Sequence, residues 1–313
     1  MKRRSFLVQA LGTAGLVGGG LWLKDNVLWR KPSLSFGAGG SGWLKFAERQ
    51  TVSPTVMIEL MGRPVKALLD TGAQYSVIDK GLFDHLELGE GFPLPLIAYG
   101  VGGTPQAGRG VSLDLTIGQL QVPRLRTAIL DLGPLADPDG LGAQVVLGQD
   151  LFAVTVMDLD LRGRHVRLLD PETFAPASGL QEVAVNKKGT AMTSEVSLEG
   201  AVIQAVIDTG FTDLLALSTS AATTAGLLDG REETSGSSIV LGGMAKSRLV
   251  RAQTLTFDRQ MWRDAEVQVF EDRPLPNYPD ALIGMAAFER RRVALDLGRG
   301  RLFQQGELDL TVG

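Results

Sequence analysis

Residues 67–79 read ALLDTGAQYSVID, and residues 205–217 read AVIDTGFTDLLAL. In each an apolar run of strand-forming residues ends in Asp-Thr-Gly, so one acidic turn is built twice. Asp70 and Asp208 stand 138 residues apart. The same interval separates Gly62 from Gly200, and Asp158 in VMDLDLRGRHVRLL from Asp296 in VALDLGRGRLF. Gly102 and Gly242 are 140 apart and Gly148 and Gly284 are 136, so a small insertion in one stretch is cancelled in the next. A unit of roughly 130 residues repeated once accounts for all of these intervals.

Around the turns the chain alternates or branches as strands do. TVMIEL, a Met61-Gly62 turn and PVKALL form a hairpin whose second strand delivers Asp70; SEVSL, Glu199-Gly200 and VIQAVI do the same for Asp208. Short helical turns are predicted only in VIDKGLFDHLEL, LGQDLFAV, LSTSAATTAGLLDG and IGMAAFER. The expected body is all-β, two homologous lobes related by a pseudo-twofold. The lobes are expected over residues 51–175 and 176–313, with the boundary in DPETFAPASG, Asp170 to Gly179, where Pro, Ser and Gly gather.

Composition bounds the function. Of 313 residues 44% are hydrophobic and 21% charged, a folded chain with a sizeable core. Net charge −4 and pI near 5.4 give no basic field, so nucleic acid is not an expected partner; the local run FERRRVALDLGRGR reads as a solvated hairpin end. Without cysteine there is no disulfide, thiolate metal site or cysteine nucleophile. His85 and His165 stand in unrelated contexts and read as surface histidines. GVGGTPQAG lacks the Gly-Lys-Ser/Thr and the following helix that a phosphate loop needs.

Residues 1–30 have the layout of a bacterial export signal: a basic start, then no charge from Ser5 to Leu23. Arg3-Arg4-Ser5-Phe6-Leu7 resembles the twin-arginine class, with Lys2 and Val8 departing from its flanking positions. About 18 apolar residues also suffice to span a bilayer, so a cleaved signal and an uncleaved membrane tether both stand, with the body exported to the periplasm in either case. Residues 31–50, rich in Gly, Ser and Pro, are expected to be a flexible tether or a pro-segment.

The paired turns carry the chemistry. Each follows apolar residues, Ala67-Leu68-Leu69 or Val206-Ile207, that carry a carboxylate inward, where an isolated charge is costly and needs a partner. A pseudo-twofold supplies it by setting Asp70 beside Asp208. Two touching carboxyls share a proton and so present a base and an acid together, which suits attack of water on an amide carbonyl. Thr71 and Thr209 offer hydroxyls to fix the turns; Gly72 and Gly210 permit tight backbone against the carboxyls.

LLDTGA with VVLGQDLF, and VIDTGF with LIGMAAF, resemble the aspartic proteases of the retropepsin and pepsin group. The resemblance spans about residues 51–308 and implies two retropepsin-like β-barrel lobes in one chain around a central cleft. It implies Asp70 and Asp208 as catalytic dyad, a polypeptide substrate held extended, no metal or organic cofactor, and no need of a dimer to complete the site. It also implies flaps at AYGVGGTPQAG and SSIVLGGMAKS, with Tyr99, Gly100, Gly102, Gly103, Gly242 and Gly243 at their tips, and pockets to which Leu94, Leu96, Ile97 and Val101 contribute. Phe211 departs from the pattern: a small residue is usual there, as Ala73 is, and a bulky ring with Asp213 nearby would narrow the site. A catalytically silent, periplasm-facing peptide-binding module on the same scaffold is the alternative.

Overall fold

A computed structural model of the protein describes residues 29–49, 51–98, 106–241, 243–273 and 278–306. Two β-barrels and one shared sheet make up the body. In the first barrel the sheet runs, in spatial order, Thr55–Leu60, Arg63–Leu69, Val145–Leu147, Val77–Asp79, Leu120–Leu130, Gln106–Ile117 and Phe92–Ala98; Glu59–Leu60 pairs back with Leu115–Thr116 to close it. The second repeats this order with Ala191–Leu198, Ala201–Ile207, Ala281–Ile283, Leu215–Ser218, Gln260–Phe270, Gly243–Phe257 and Glu233–Val240, closed by Val196–Leu198 on Leu255–Phe257. The strand Asn186–Lys188 adds an edge to the second barrel.

Local chemistry accounts for the repetition. Met61 and Gly62, like Glu199 and Gly200, all have positive φ, between 50° and 91°. That is the two-residue turn whose twist matches antiparallel strands, and glycine takes its second place at no steric cost. All four expected helical turns form: Lys80–His85, Gln149–Phe152, Thr219–Thr224 and the 3₁₀ turn Met285–Phe288. Asp79 and Ser218 cap the two longer ones by accepting from Leu82 N–H and Ala221 N–H. One apolar core runs through both barrels, with Ile58, Leu69 and Leu147 in the first and Phe257, Ile283 and Phe288 in the second.

The shared sheet joins the lobes and locates the symmetry axis. Its order is Leu44–Lys45, His165–Leu169, Val156–Asp160, Arg292–Asp296, Arg301–Gln305, Leu180–Val183. Val156–Asp160 and Arg292–Asp296 are equivalent strands of the two repeats and pair antiparallel at its centre. Met157 faces Leu295, its own equivalent 138 residues on, so the pseudo-twofold passes through that pair.

Within the stretch expected to be a flexible tether or a pro-segment, residues 41–46 pack on the body. Leu44–Lys45 adds a strand against His165–Val166, Ser41 N–H donates to Leu168 O, Gln119 N–H donates to Ser41 O, and Phe46 is buried. The basic run is also less solvated than its composition implies. Arg292 and Arg167 both grip Asp158, at 2.7 and 2.8 Å, and stand 5.4 and 4.4 Å from the ring of Trp43. Asp158 is 1% exposed and links the lobes across the shared sheet. Its removal leaves two guanidiniums, each about a quarter exposed, without an anion. Asp158→Ala is therefore expected to lower unfolding stability by about 2–4 kcal/mol in urea titration, below the cost at a wholly buried pair because water still reaches both arginines.

Of the N-terminal signal only residues 29 and 30 are described; the rest of that expectation lies outside the described residues. Among the described residues no helix is long and apolar enough to cross a membrane.

Candidate active site

Strand ends bring the two acids together. Asp70 follows Arg63–Leu69 and donates its N–H to Leu147 O at 2.9 Å; Asp208 follows Ala201–Ile207 and donates to Ile283 O at 3.0 Å. Each turn closes on its own carboxylate. Asp70 Oδ1 accepts from Gly72 N–H (2.7 Å) and Ala73 N–H (3.0 Å), and Asp208 Oδ1 accepts from Gly210 N–H (2.8 Å) and Phe211 N–H (3.2 Å). The two carboxyls lie beside each other across the axis, each against the other turn's glycine, and remain partly exposed.

The threonines tie the turns across the axis. Thr71 Oγ1 donates to Ile207 O (2.8 Å) and accepts from Thr209 N–H (3.0 Å); Thr209 Oγ1 donates to Leu69 O (2.7 Å) and accepts from Thr71 N–H (3.0 Å). Both are buried, and all four bonds run from one repeat to the other.

The glycines matter for space. A Cβ on Gly72 would lie 2.5 to 2.7 Å from the carboxyl atoms of Asp208, and one on Gly210 would lie 2.6 to 2.8 Å from those of Asp70. Each turn's glycine is thus the wall against which the other lobe's acid rests. Gly72→Ala must push Asp208 off Asp70. Its kcat on a peptide substrate is expected to fall about a hundredfold with a much smaller change in KM, because the displaced group acts in the reaction rather than in holding substrate.

Burial and proximity set the protonation. The Asp208 carboxyl is held well above the usual carboxylate range, first by burial and then by the charge of Asp70. Asp70 is raised by burial too, while the hydrogen bond with Asp208 and the N–H groups of Ala73 and Gly72 pull the other way. The pair therefore holds one proton between the two acids over a range extending above ordinary carboxylate titration.

The bulk of Phe211 is taken up beside its own turn. Its ring lies against Gly284, where a Cβ would come 2.5 Å from Cδ1, and packs with Ala216, Phe270, Leu282 and Tyr278 on the outer face of the second barrel. Asp213 hydrogen-bonds Gln268 and Thr212. Of the flap residues Gly243 opens the strand Gly243–Phe257; Tyr99, Gly100, Gly102, Gly103 and Gly242 lie outside the described residues. Leu94, Leu96 and Ile97 fall on the strand Phe92–Ala98, and Val101 lies outside the described residues.

Gln149, Asp150 and the Trp29 that bonds it escape the sequence reading. Gln149 Nε2 donates to Thr71 O at 2.6 Å. Asp150, 6% exposed, accepts from Ser76 N–H and Oγ–H, Leu151 N–H and, at 2.9 Å, Trp29 Nε1–H. Burial pushes its carboxyl up despite those donors. The one signal for Asp150 is a charge inside the apolar run VVLGQDLF where the other repeat has Ala286. Among the described residues no cluster of three or more His, Asp or Glu could hold a metal ion.

The chain matches the family profile described as aspartyl protease over residues 56–151 and 194–287, more than half its length and once per repeat. No curated protein sequence matches it. Among solved structures it is similar to a retropepsin-like aspartic protease from Rickettsia conorii at 20% identity, over 40% of this chain and 89% of that one, with a TM-score of 0.31. It is also similar to basic 7S globulin from soybean (12% identity, 88% and 94% covered, TM-score 0.43) and to conglutin gamma from lupine seeds (13%, 88% and 96%, TM-score 0.48).

Proposed function

From the premise that the chain belongs to the aspartyl protease family, we propose that it is an endopeptidase that hydrolyses extended polypeptide with water activated between Asp70 and Asp208. The observation that carries the reading is geometric: the two acid turns are bonded to each other across the axis by their threonines, and each acid rests against the other turn's glycine, so the carboxyls lie side by side. Asp70, ionised, takes a proton from the water as its oxygen bonds to the scissile carbonyl carbon, and Asp208 gives its proton to the carbonyl oxygen. The resulting diol collapses when Asp70 passes its proton to the amide nitrogen; the C–N bond breaks and Asp208 recovers a proton from the diol oxygen. Both acids return to their starting states.

Main-chain pairing with strand edges and the glycine-rich hairpins favours an extended, partly unfolded substrate. One chain supplies both acids, so the site needs no second copy. The layout of residues 1–30 supports export, with the body facing the periplasm either free or tethered.

The test is digestion of a diverse peptide mixture from acidic to neutral pH, read by mass spectrometry, by the parent and by Asp208→Asn. Cuts present with the parent and absent with the variant are expected. A folded parent that cuts nothing at any pH overturns the reading and leaves the cleft as a peptide-binding one.

A further inference from the structure

A second apolar cluster lies beside the dyad on the first lobe. Strand alternation sends Leu69, Ile78 and Leu147 into the barrel and Leu68, Val77 and Val146 to the opposite face. Ala73, whose N–H holds the Asp70 carboxylate, joins that outer face. So does Leu241, from the tip of the second lobe's hairpin Glu233–Val240 and Gly243–Phe257, which lies against the turn Gly133–Leu135 of the first lobe. The cluster is thus bounded by the acid turn on one side and the opposite lobe's hairpin on the other.

Its space is filled by Trp29, which belongs to neither barrel. The indole is 4% exposed, its ring centre 4.2 Å from that of Tyr75, and its N–H donates to Asp150. The second lobe has the equivalent face in Val206, Ala216 and Leu282, and it closes that face from its own turn with Phe211. Where the turn residue is large the face is self-sealed. Where it is Ala73, a side chain from outside the barrel has entered.

We propose that Trp29 is the resident occupant of a substrate side-chain pocket. The chain's own N-terminal segment blocks that pocket, which selects an aromatic side chain whose ring N–H or hydroxyl donates to Asp150. The cutting part of this proposal rests on the endopeptidase reading; the binding part does not. Asp150 explains the selectivity: its buried Oδ2 accepts from the indole and from Ser76 N–H, which Oδ1 also shares, and an incoming ring without a donor leaves Oδ2 with that shared N–H alone.

The test uses the full chain and Trp29→Ala, checked for folding by circular dichroism. Each is titrated calorimetrically with N-acetyl-tryptophanamide and with its ring N-methyl derivative, then assayed on peptides differing only in Trp, Phe, Leu or Ala at one position. Trp29→Ala is expected to bind the amide where the parent does not, and to bind the N-methyl form about tenfold more weakly. It is also expected to cut the Trp peptide at least about tenfold faster than the parent does. Binding without cutting by either protein sustains the pocket and sinks the endopeptidase reading. Equal cutting by both proteins with no binding overturns the pocket and leaves that reading intact. Equal affinity for the two amides removes Asp150 from the recognition. If the Ala variant does not fold, Trp29→Val, too small to fill the indole's space, takes its place, and a folded Val variant that binds no amide overturns the proposal.

Discussion

Asp208→Asn is expected to cut peptides at least about a thousandfold more slowly than the parent at every pH, and at neutral pH to unfold at a higher temperature. The first effect follows from what the second acid does. An amide has no proton to give the carbonyl oxygen with a carboxylic acid's ease and cannot take part in the shared proton, so general acid catalysis is lost while the cleft is unchanged. The second effect has the opposite sign for a definite reason. Asp208 binds its proton more tightly when folded than in the unfolded chain, where its value is near 3.8. Between that value and the raised folded one the native state holds more protons, so stability falls as pH rises through the window. Asparagine carries no such penalty. The gain should vanish in unfolding scans below about pH 3.8, where the parent's acid is protonated in both states. A variant inactive but equally stable at all pH values would show that burial and the neighbouring charge do not load this carboxyl.

Asp70→Asn separates the two acids. Asp70 is raised by burial and partly relieved by its donors, so its replacement removes the base and, as at Asp208, a buried carboxyl that is costly to ionise. The two repeats differ beside the turns: Gln149 supports the first through Thr71 O where the second lobe has Met285.

The features legible in the sequence are local ones, repeated. An Asp that accepts from N–H groups two and three residues on, a Gly that must lack a Cβ, and a two-residue turn with positive φ are each written within four residues. Their recurrence at one interval announces the pseudo-twofold, which the Met157–Leu295 pairing then places. What the sequence hides is set across long separations. Trp29 and Asp150 are 121 residues apart, and nothing near Trp29 distinguishes it from the glycine- and serine-rich segment that follows. That segment has a flexible composition yet finds a strand edge at His165–Val166, because pairing depends on what edge is offered and not on local propensity. The bulk of Phe211 is legible in its turn, but where the ring goes depends on Gly284, 73 positions on, whose missing Cβ leaves the slot that seats it against Ala216 and Leu282.

Thr71→Val and Thr209→Val are each expected to cost about 2–4 kcal/mol in urea unfolding, and Thr→Ser at either site to restore most of it. Valine matches threonine in shape, so the change isolates the hydroxyl from the volume. Removing Thr71 Oγ1 leaves Ile207 O without a donor and Thr209 N–H without an acceptor, both in buried surroundings. Each orphaned group costs about 1–3 kcal/mol, more than a hydrogen bond contributes when made. Serine keeps the hydroxyl and loses only a methyl. Because every one of the four bonds joins the lobes, the loss reaches activity as well as stability: the turns are no longer indexed to each other, and the two carboxyls drift from the contact on which the shared proton depends. The raised titration of Asp208 should therefore subside in the Val variants, and the pH window of cleavage should narrow from its neutral side. If cleavage keeps the parent's pH profile while stability falls, the threonines hold the lobes together without aligning the acids. A fall in both, with serine rescuing both, ties the alignment to these two hydroxyls.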